Sequence, residues 1–386
     1  MTDAPRSTRL RELIVVFGTL GIIGFGGPAA HIALMRRDVV ERRRWLTDAQ
    51  LVDLVGFANL IPGPNSTELA MLVGRQRAGR LGLVVAGLSF ILPAALIVLG
   101  LAWAYVAYGT TPTGEALLYG VKPVIVAIVG AALVAFARTT LIRPLRVIVA
   151  VAAGLLWLAG VNELVLLAGG ALLVATLRLG ARVPWAAAGI VLPGAAGGAG
   201  AAGGAAAASS IDLLTLGAVF LKAGAFLYGS GYVLLAFLRA DLVERLGWLT
   251  DAQLLDAVAI GQVTPGPLFT TATFVGYVLA GIPGAVVATV AIFAPAFVLV
   301  AAFGHLVEHA RKRPLTGALL DGVNAAAIGL MAAVSIQLGL SAVRDPLTVA
   351  LLLGAVVALW ACVPSVVIVA AGAAIGFAAL AVGIGP

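Results

Sequence analysis

Trp45-Leu46-Thr47-Asp48-Ala49-Gln50 returns unchanged as Trp248-Leu249-Thr250-Asp251-Ala252-Gln253, 203 residues further along. The agreement spreads outward from this hexapeptide. At the same offset Phe17 meets Phe220, Gly26 meets Gly229, Asp38 meets Asp241 and Glu41 meets Glu244, and Pro62-Gly63-Pro64 meets Pro265-Gly266-Pro267. One deletion later the offset is 202. Gly79, Gly82, Pro93 and Gly120-Val121 then meet Gly281, Gly284, Pro295 and Gly322-Val323. The chain is a duplicated unit of roughly 180 residues. In a membrane, this organisation is that of transporters whose site lies between the halves.

Composition places the chain in a membrane. Hydrophobic residues make up 62% and charged residues 11%, far from the soluble balance of about half and a quarter. Leu81–Tyr108 and Ala116–Phe136 are long enough to cross about 30 Å of hydrocarbon. The net charge of +7 comes from arginines grouped in short loops, which read as topology signals rather than as a nucleic-acid surface. Cys362 is the one cysteine, so no internal disulfide forms. Arg6, Arg9 and Arg11 before an apolar run imitate a signal peptide, but that run matches 211–238 in the second half and belongs to the repeat.

Each half carries the same series. An apolar helix, Leu13–Met35, is broken by Gly24-Phe25-Gly26-Gly27-Pro28, and a charged stretch follows at Arg36–Arg44. Two short helices near 48–60 and 66–74 flank Pro62-Gly63-Pro64. Proline lacks the backbone N–H and clashes with the preceding turn, so no helix runs through that motif. Thr47 with Gln50, and Thr250 with Gln253, fit capping boxes. Four apolar spans, near 82–107, 117–137, 145–160 and 163–179, complete the unit. The second half repeats it at 212–238, 251–262, 268–280, 284–307, 316–341, 346–362 and 364–384. We divide the chain into a first repeat (12–182), a Gly/Ala-rich linker (183–210) and a second repeat (211–386). The linker's Gly198–Gly203 fits a dinucleotide pattern, but no strand precedes it, so it carries no cofactor reading.

Arginines flank the short helix pair on both sides: Arg36, Arg37 and Arg42 to Arg44 before it, and Arg75, Arg77 and Arg80 after it. If both clusters are cytoplasmic, the pair is a re-entrant hairpin and each half crosses the membrane five times. The expected fold is then an all-α polytopic membrane protein of two inverted-topology repeats. Each repeat has about five transmembrane helices and a re-entrant hairpin broken at Pro-Gly-Pro. Six crossings and parallel halves are the alternative, and would export one basic cluster per half.

The candidate ligand residues follow from this frame. Asn65, Ser66 and Thr67 open a helix after the first break, and Thr270 and Thr271 stand after the second. A helix start presents free N–H groups and partial positive charge to an anion. Lys122 and Lys222 lie in apolar spans, where a charge needs a cavity or a partner. Each reads either as an anion ligand or as a paired structural lysine. Gly26, Gly27 and Ser230 let a ligand approach the backbone, and Asn59 borders the first break. Glu68 has no acidic counterpart in the second half and is a candidate coupling site, or else completes a cap with Asn65. His31, His305 and His309 show no metal-ligand spacing, and nothing calls for a cofactor. No clustered redox, thiol or His/Asp/Arg constellation supports an enzyme.

Taken together, Phe25-Gly26-Gly27-Pro28 with His31, the Arg/Trp stretch ending at Trp45, Asn59 to Glu68, and Thr264-Pro265-Gly266-Pro267 resemble the chromate ion transporter family, in its long two-domain form. The resemblance covers essentially the whole chain. It implies a multi-pass protein of the bacterial inner membrane that exports chromate, with sulfate as exchanged or competing ion. A sulfate or other small-anion carrier, or an amino-acid exporter, is the alternative, since a short Pro-Gly-Pro-Asn also occurs in the latter. The partners expected are chromate, sulfate and the lipid bilayer, with a homodimer left open and nucleic acid excluded. Moving a dianion out of a negative interior gains about 4.6 kcal/mol per 100 mV, so export needs no ATP-binding motif.

Overall fold

The computed structural model describes residues 5–25, 27–179, 211–228, 233–304 and 314–383. Gly26, Ser230, the linker at 183–210, His305 and His309 lie outside the described residues. Every regular element described is helical. In the first half these are α1 (Arg6–Ile23), α2 (Gly27–Arg36), α3 (Asp48–Ala58), α4 (Asn65–Tyr108), α5 (Pro112–Thr140), α6 (Pro144–Leu158) and α7 (Glu163–Leu179). The second half has α8 (Leu213–Phe226), α9 (Leu234–Leu238), α10 (Asp251–Val263), α11 (Thr271–Phe303), α12 (Pro314–Ala342), α13 (Pro346–Trp360) and α14 (Ser365–Ala381). A π-helical turn extends both α2 (Arg37–Arg42) and α9 (Arg239–Arg245).

The expected punctuation is present. Thr47 Oγ1 accepts from the Gln50 N–H and the Thr47 N–H donates to Gln50 Oε1, and Thr250 and Gln253 do the same. Both long helices are broken once, at matched places. Ala78 and Gly79 have φ of −142° and 68°, and Ala280 and Gly281 have −144° and 63°. At positive φ with ψ of −151° only glycine is unstrained. Gly74 and Gly82, and likewise Gly276 and Gly284, then let the two legs of each helix pack backbone to backbone. The short helix expected at 66–74 is thus the first leg of α4, and the chain turns back at Ala78-Gly79 into the span beyond it.

Four of the described helices are long and apolar enough to cross a membrane: Asn65–Tyr108, Pro112–Thr140, Leu268–Phe303 and Leu315–Ala342. Shorter apolar helices accompany them at 144–158, 213–226, 346–360 and 365–381. The chain is a multi-pass membrane protein.

The halves exchange their last two helices. Within each half α1 packs on α4, and α8 on α11. Beyond that, α5 packs on α13 and α14, while α12 packs on α6 and α7. Glycines make these cross-half contacts: Gly120 against Gly372 and Gly376, Gly322 against Gly170, and Gly329 against Ala150 and Gly154. Lipid tails are as apolar as leucine, so close backbone approach, not hydrophobicity, holds helices together there. Where α4 meets α11, the Phe297 ring lies against Gly87; where α5 meets α12, Val126 lies against Gly339.

Candidate functional site

Each Pro-Gly-Pro elbow is held by the broken helix of the other half. The Gly63 N–H donates to the Leu227 carbonyl at 2.8 Å, and the Gly266 N–H donates to the Gly24 carbonyl at 2.8 Å. Gly24 and Leu227 are repeat equivalents, as are Gly63 and Gly266, so the two bonds are one contact made twice. Gly63 has φ of 138° and Gly266 of 89°, and a Cβ on Gly266 would stand 2.5 Å from that of Ala94. Each elbow therefore brings three things together: a helix end, a helix start and the break in α1 or in α8.

The first elbow carries buried hydroxyl and carboxylate groups without partners among the described residues. Asn65 Nδ2 donates to Asn59 Oδ1 at 2.6 Å across it. Ser66, Thr67 and Glu68 are buried in the first turn of α4. Thr67 Oγ1 and both carboxylate oxygens of Glu68 have no hydrogen-bond partner among the described residues. Glu68 bends back over Gly63, with Oε1 2.5 Å from where a Cβ of that glycine would be. Glu68 is thus not a capping group: its oxygens reach none of the free N–H groups of α4. Gly27, with φ of 77° and open space around it, begins α2 on the opposite break.

The second elbow is more fully satisfied. Thr270 Oγ1 donates to the Pro267 carbonyl at 2.9 Å, Thr271 Oγ1 to the Leu268 carbonyl at 2.8 Å, and Thr264 Oγ1 to the Ile260 carbonyl at 2.9 Å. On the Gly24 side, His31 is buried with Nε2 2.8 Å from the Gly24 carbonyl and its ring edge-on to Phe90. Nothing in the sequence marked His31 as an elbow residue, beyond its place seven residues after Gly24.

The lysines stand elsewhere, each in an ion pair. Lys222 Nζ meets Glu163 Oε1 at 2.7 Å and also Asp241, and lies 5.7 Å from the Phe237 ring centre. Lys122 Nζ is 3.4 Å from Asp256, which also accepts from the Tyr105 hydroxyl at 3.0 Å. Lys122 lines a cavity of about 570 Å³ with Tyr119, Asp256 and Arg344. Of the two readings open for these lysines, both take the paired one in this geometry. Glu163 and Asp241, the latter shared with Arg245, pair the Lys222 charge.

These features define a membrane protein of duplicated broken-helix units, with helix starts facing breaks across the interface. The chain belongs to the chromate transporter family, whose model matches twice, over residues 11–175 and 214–377. It is 36% identical to the chromate transport protein of Cupriavidus metallidurans over 356 residues, covering 89% of this chain and 85% of that one. It is 34% identical to the chromate transport protein of Pseudomonas aeruginosa over 85% of this chain and 80% of that one. A probable chromate transport protein of Synechococcus elongatus is 32% identical over 91% and 90%. No solved structure matches the chain.

Proposed function

We propose that the protein exports chromate across the bacterial plasma membrane as a secondary transporter, with the anion bound at the first elbow. The observation that carries this reading is the clasp at Gly63 and Leu227 beside buried Thr67 and Glu68, whose side-chain oxygens have no partner among the described residues. The ligand set is Asn59, Asn65, Ser66 and Thr67 with the free N–H groups of α4, while Gly27, with open space around it, leaves room for approach; Gly26 and Ser230 stay candidates on sequence alone. Thr270 and Thr271 serve the second elbow once their hydroxyls turn from the carbonyls they now bond. Lys122 and Lys222 are left out of the set, because their charges are already paired.

The same reading takes the halves as inverted. Val126 meets Gly339, whose repeat counterpart is Ala137, eleven residues beyond Val126. Parallel halves related by a two-fold axis would set Val126 against its own counterpart, Ile328. An offset of eleven residues spans about 16 Å of helix, which antiparallel crossing accommodates. Phe297 against Gly87 is the same case, since its counterpart is Ala95. The Pro-Gly-Pro motifs are then the tips of re-entrant hairpins, and the two elbows face the site from opposite sides. Non-helical backbone at that depth is tolerated only against protein or a wet cavity.

Glu68 sets the coupling. An ionised carboxylate and a dianion cannot share one dry elbow, so chromate binds when Glu68 is protonated. If that proton travels with the anion, one net negative charge leaves per cycle, gaining about 2.3 kcal/mol per 100 mV. The test is chromate accumulation by inverted vesicles under an imposed potential, with and without sulfate inside. Accumulation that follows the potential supports export, and its reversal potential counts the charges moved. Absence of accumulation under every gradient would remove chromate as the substrate.

A further inference from the structure

A second polar cavity lies at the far end of the first leg of α4. Its volume is about 330 Å³, and Arg9, Trp45, Gln50, Gln76 and Arg77 line it. Arg77 stands twelve residues after Asn65, so about 18 Å of helix separates this cavity from the elbow.

Its chemistry is that of an anion receptor. The Arg77 guanidinium lies 5.0 Å from the Trp45 ring centre, and Arg43 covers the same ring at 5.4 Å. Glu12 takes one Arg77 amino group at 2.7 Å, and Arg9 Nη1 donates to the Arg77 carbonyl at 3.1 Å. That last bond also satisfies a carbonyl at the negative end of the leg, which would otherwise repel an anion. The Nε atoms of Arg9 and Arg77 are both buried and have no acceptor among the described residues. A buried donor without an acceptor is costly, and an oxyanion would supply the missing acceptors. Three guanidiniums against one carboxylate leave the cluster positive, and the planar fork of arginine matches the oxygens of a tetrahedral oxyanion.

Comparison of the halves separates this chemistry from the needs of the fold. The second half keeps Trp248 and the Gln253 cap. It has Asp212 where the first half has Arg9, Val278 where it has Gln76 and Leu279 where it has Arg77. The capped helix and its tryptophan are required twice; the arginine pair is not.

We propose that this cavity binds a phosphate- or sulfate-like oxyanion, in the first half alone and apart from the transport site. Two sources present that chemistry: the headgroup phosphate of an anionic lipid in the adjoining leaflet, and a free oxyanion from the water. None of the cavity's residues belongs to an elbow.

The test uses the purified full chain and its Arg9→Gln/Arg77→Gln double variant. In one arm, inorganic phosphate and then sulfate are titrated while tryptophan fluorescence is followed, with Trp45→Phe identifying the reporting ring. In the other, protein reconstituted in phosphatidylcholine with or without phosphatidylglycerol is extracted, and retained lipid is counted by mass spectrometry. A saturable Trp45 signal that weakens at least tenfold in the double variant supports the free-anion source. Selective retention of phosphatidylglycerol, lost in the double variant, supports the lipid source. A titration unaffected by the double substitution, or no binding and no selective retention by the wild type, overturns the proposal. If the double variant does not fold, Arg77→Lys decides. It keeps the charge but not the fork, and unchanged behaviour in both arms overturns the proposal.

Discussion

Replacing Glu68 by Gln tests the coupling assigned to the first elbow. The substitution keeps the side chain's shape and removes its ionisation. Both carboxylate oxygens are buried and unpartnered among the described residues, so no bond is lost and the fold should survive. A unit charge about 5 Å from a dianion, at an effective dielectric constant of about 20, is repelled by about 7 kcal/mol. That amounts to about five decades of affinity at about 1.4 kcal/mol each. On the proposed coupling, the wild type binds the dianion only with Glu68 protonated. Once pH exceeds the free carboxylate's own pKa, affinity falls by about a decade per pH unit, with one proton taken up per anion. Sulfate is the better probe, because it stays a dianion from about pH 6 to 10, whereas chromate itself takes a proton near neutrality. Isothermal titration across this range, in buffers of different ionisation enthalpy, gives both the affinity and the proton count. The variant should bind sulfate with no pH slope and no proton uptake, and should hold its affinity at the alkaline end. Superimposable wild-type and variant curves over the whole range refute the assignment.

Other expectations concern the frame around that site. Gly266→Ala should cost about 2–4 kcal/mol, combining left-handed backbone strain with overpacking against Ala94, whereas Gly130→Ala, in open space on α5, should be neutral or better; Tm in detergent compares them. Lys222→Ala leaves Glu163 buried without its cation, while Asp241 keeps Arg245, and should lose about 3 kcal/mol. Adding Glu163→Gln and Asp241→Asn should restore the melting temperature, while sulfate affinity stays unchanged throughout. Thr250→Ala removes half of a capping box and should cost about 1 kcal/mol. Asp212 caps α8. Bonds from the Thr215 hydroxyl, and from the N–H groups of Thr215 and Leu214, hold its carboxylate below the usual range. Its stabilisation is present above the ordinary carboxylate pKa and is lost as pH falls through the lowered one. Asp212→Asn should flatten that acid limb of a Tm-against-pH curve.

Much of the frame was legible because it is written twice and punctuated by local chemistry. Thr47 and Gln50 lie three residues apart, so their reciprocal bonds need only sequence neighbours. The same holds for Pro62-Gly63-Pro64, whose prolines stop a helix whatever surrounds them. What joins the halves is of another kind. The Gly63 N–H finds the Leu227 carbonyl across 164 residues, and a backbone-to-backbone bond leaves no side-chain signature. The partners of Lys222, Glu163 on α7 and Asp241 beside α9, are equally remote. The lysine's position in an apolar span announced that it needed a partner or a ligand, but not which.

Duplication also explains why the candidate site is harder to read than the fold. Repetition is conspicuous where both copies must do the same job, as at the elbows and at the glycines of the broken helices. Function enters where the copies differ. Glu68 faces a threonine at the matching place, His31 a leucine (Leu234), and Arg77 a leucine (Leu279). A transporter built from two copies of the second elbow would present the same field to its anion from both sides and would have no carboxylate to titrate. With one elbow carrying a carboxylate and the other threonine hydroxyls bonded to their own carbonyls, proton and anion occupancy can be linked at a single carboxylate. If that is the use of the asymmetry, Thr271→Glu should add a second pH-sensitive group and steepen the pH dependence of sulfate binding to about two decades per unit. An unchanged slope would mean that the second elbow never meets the anion, and that the duplication serves the helix packing alone.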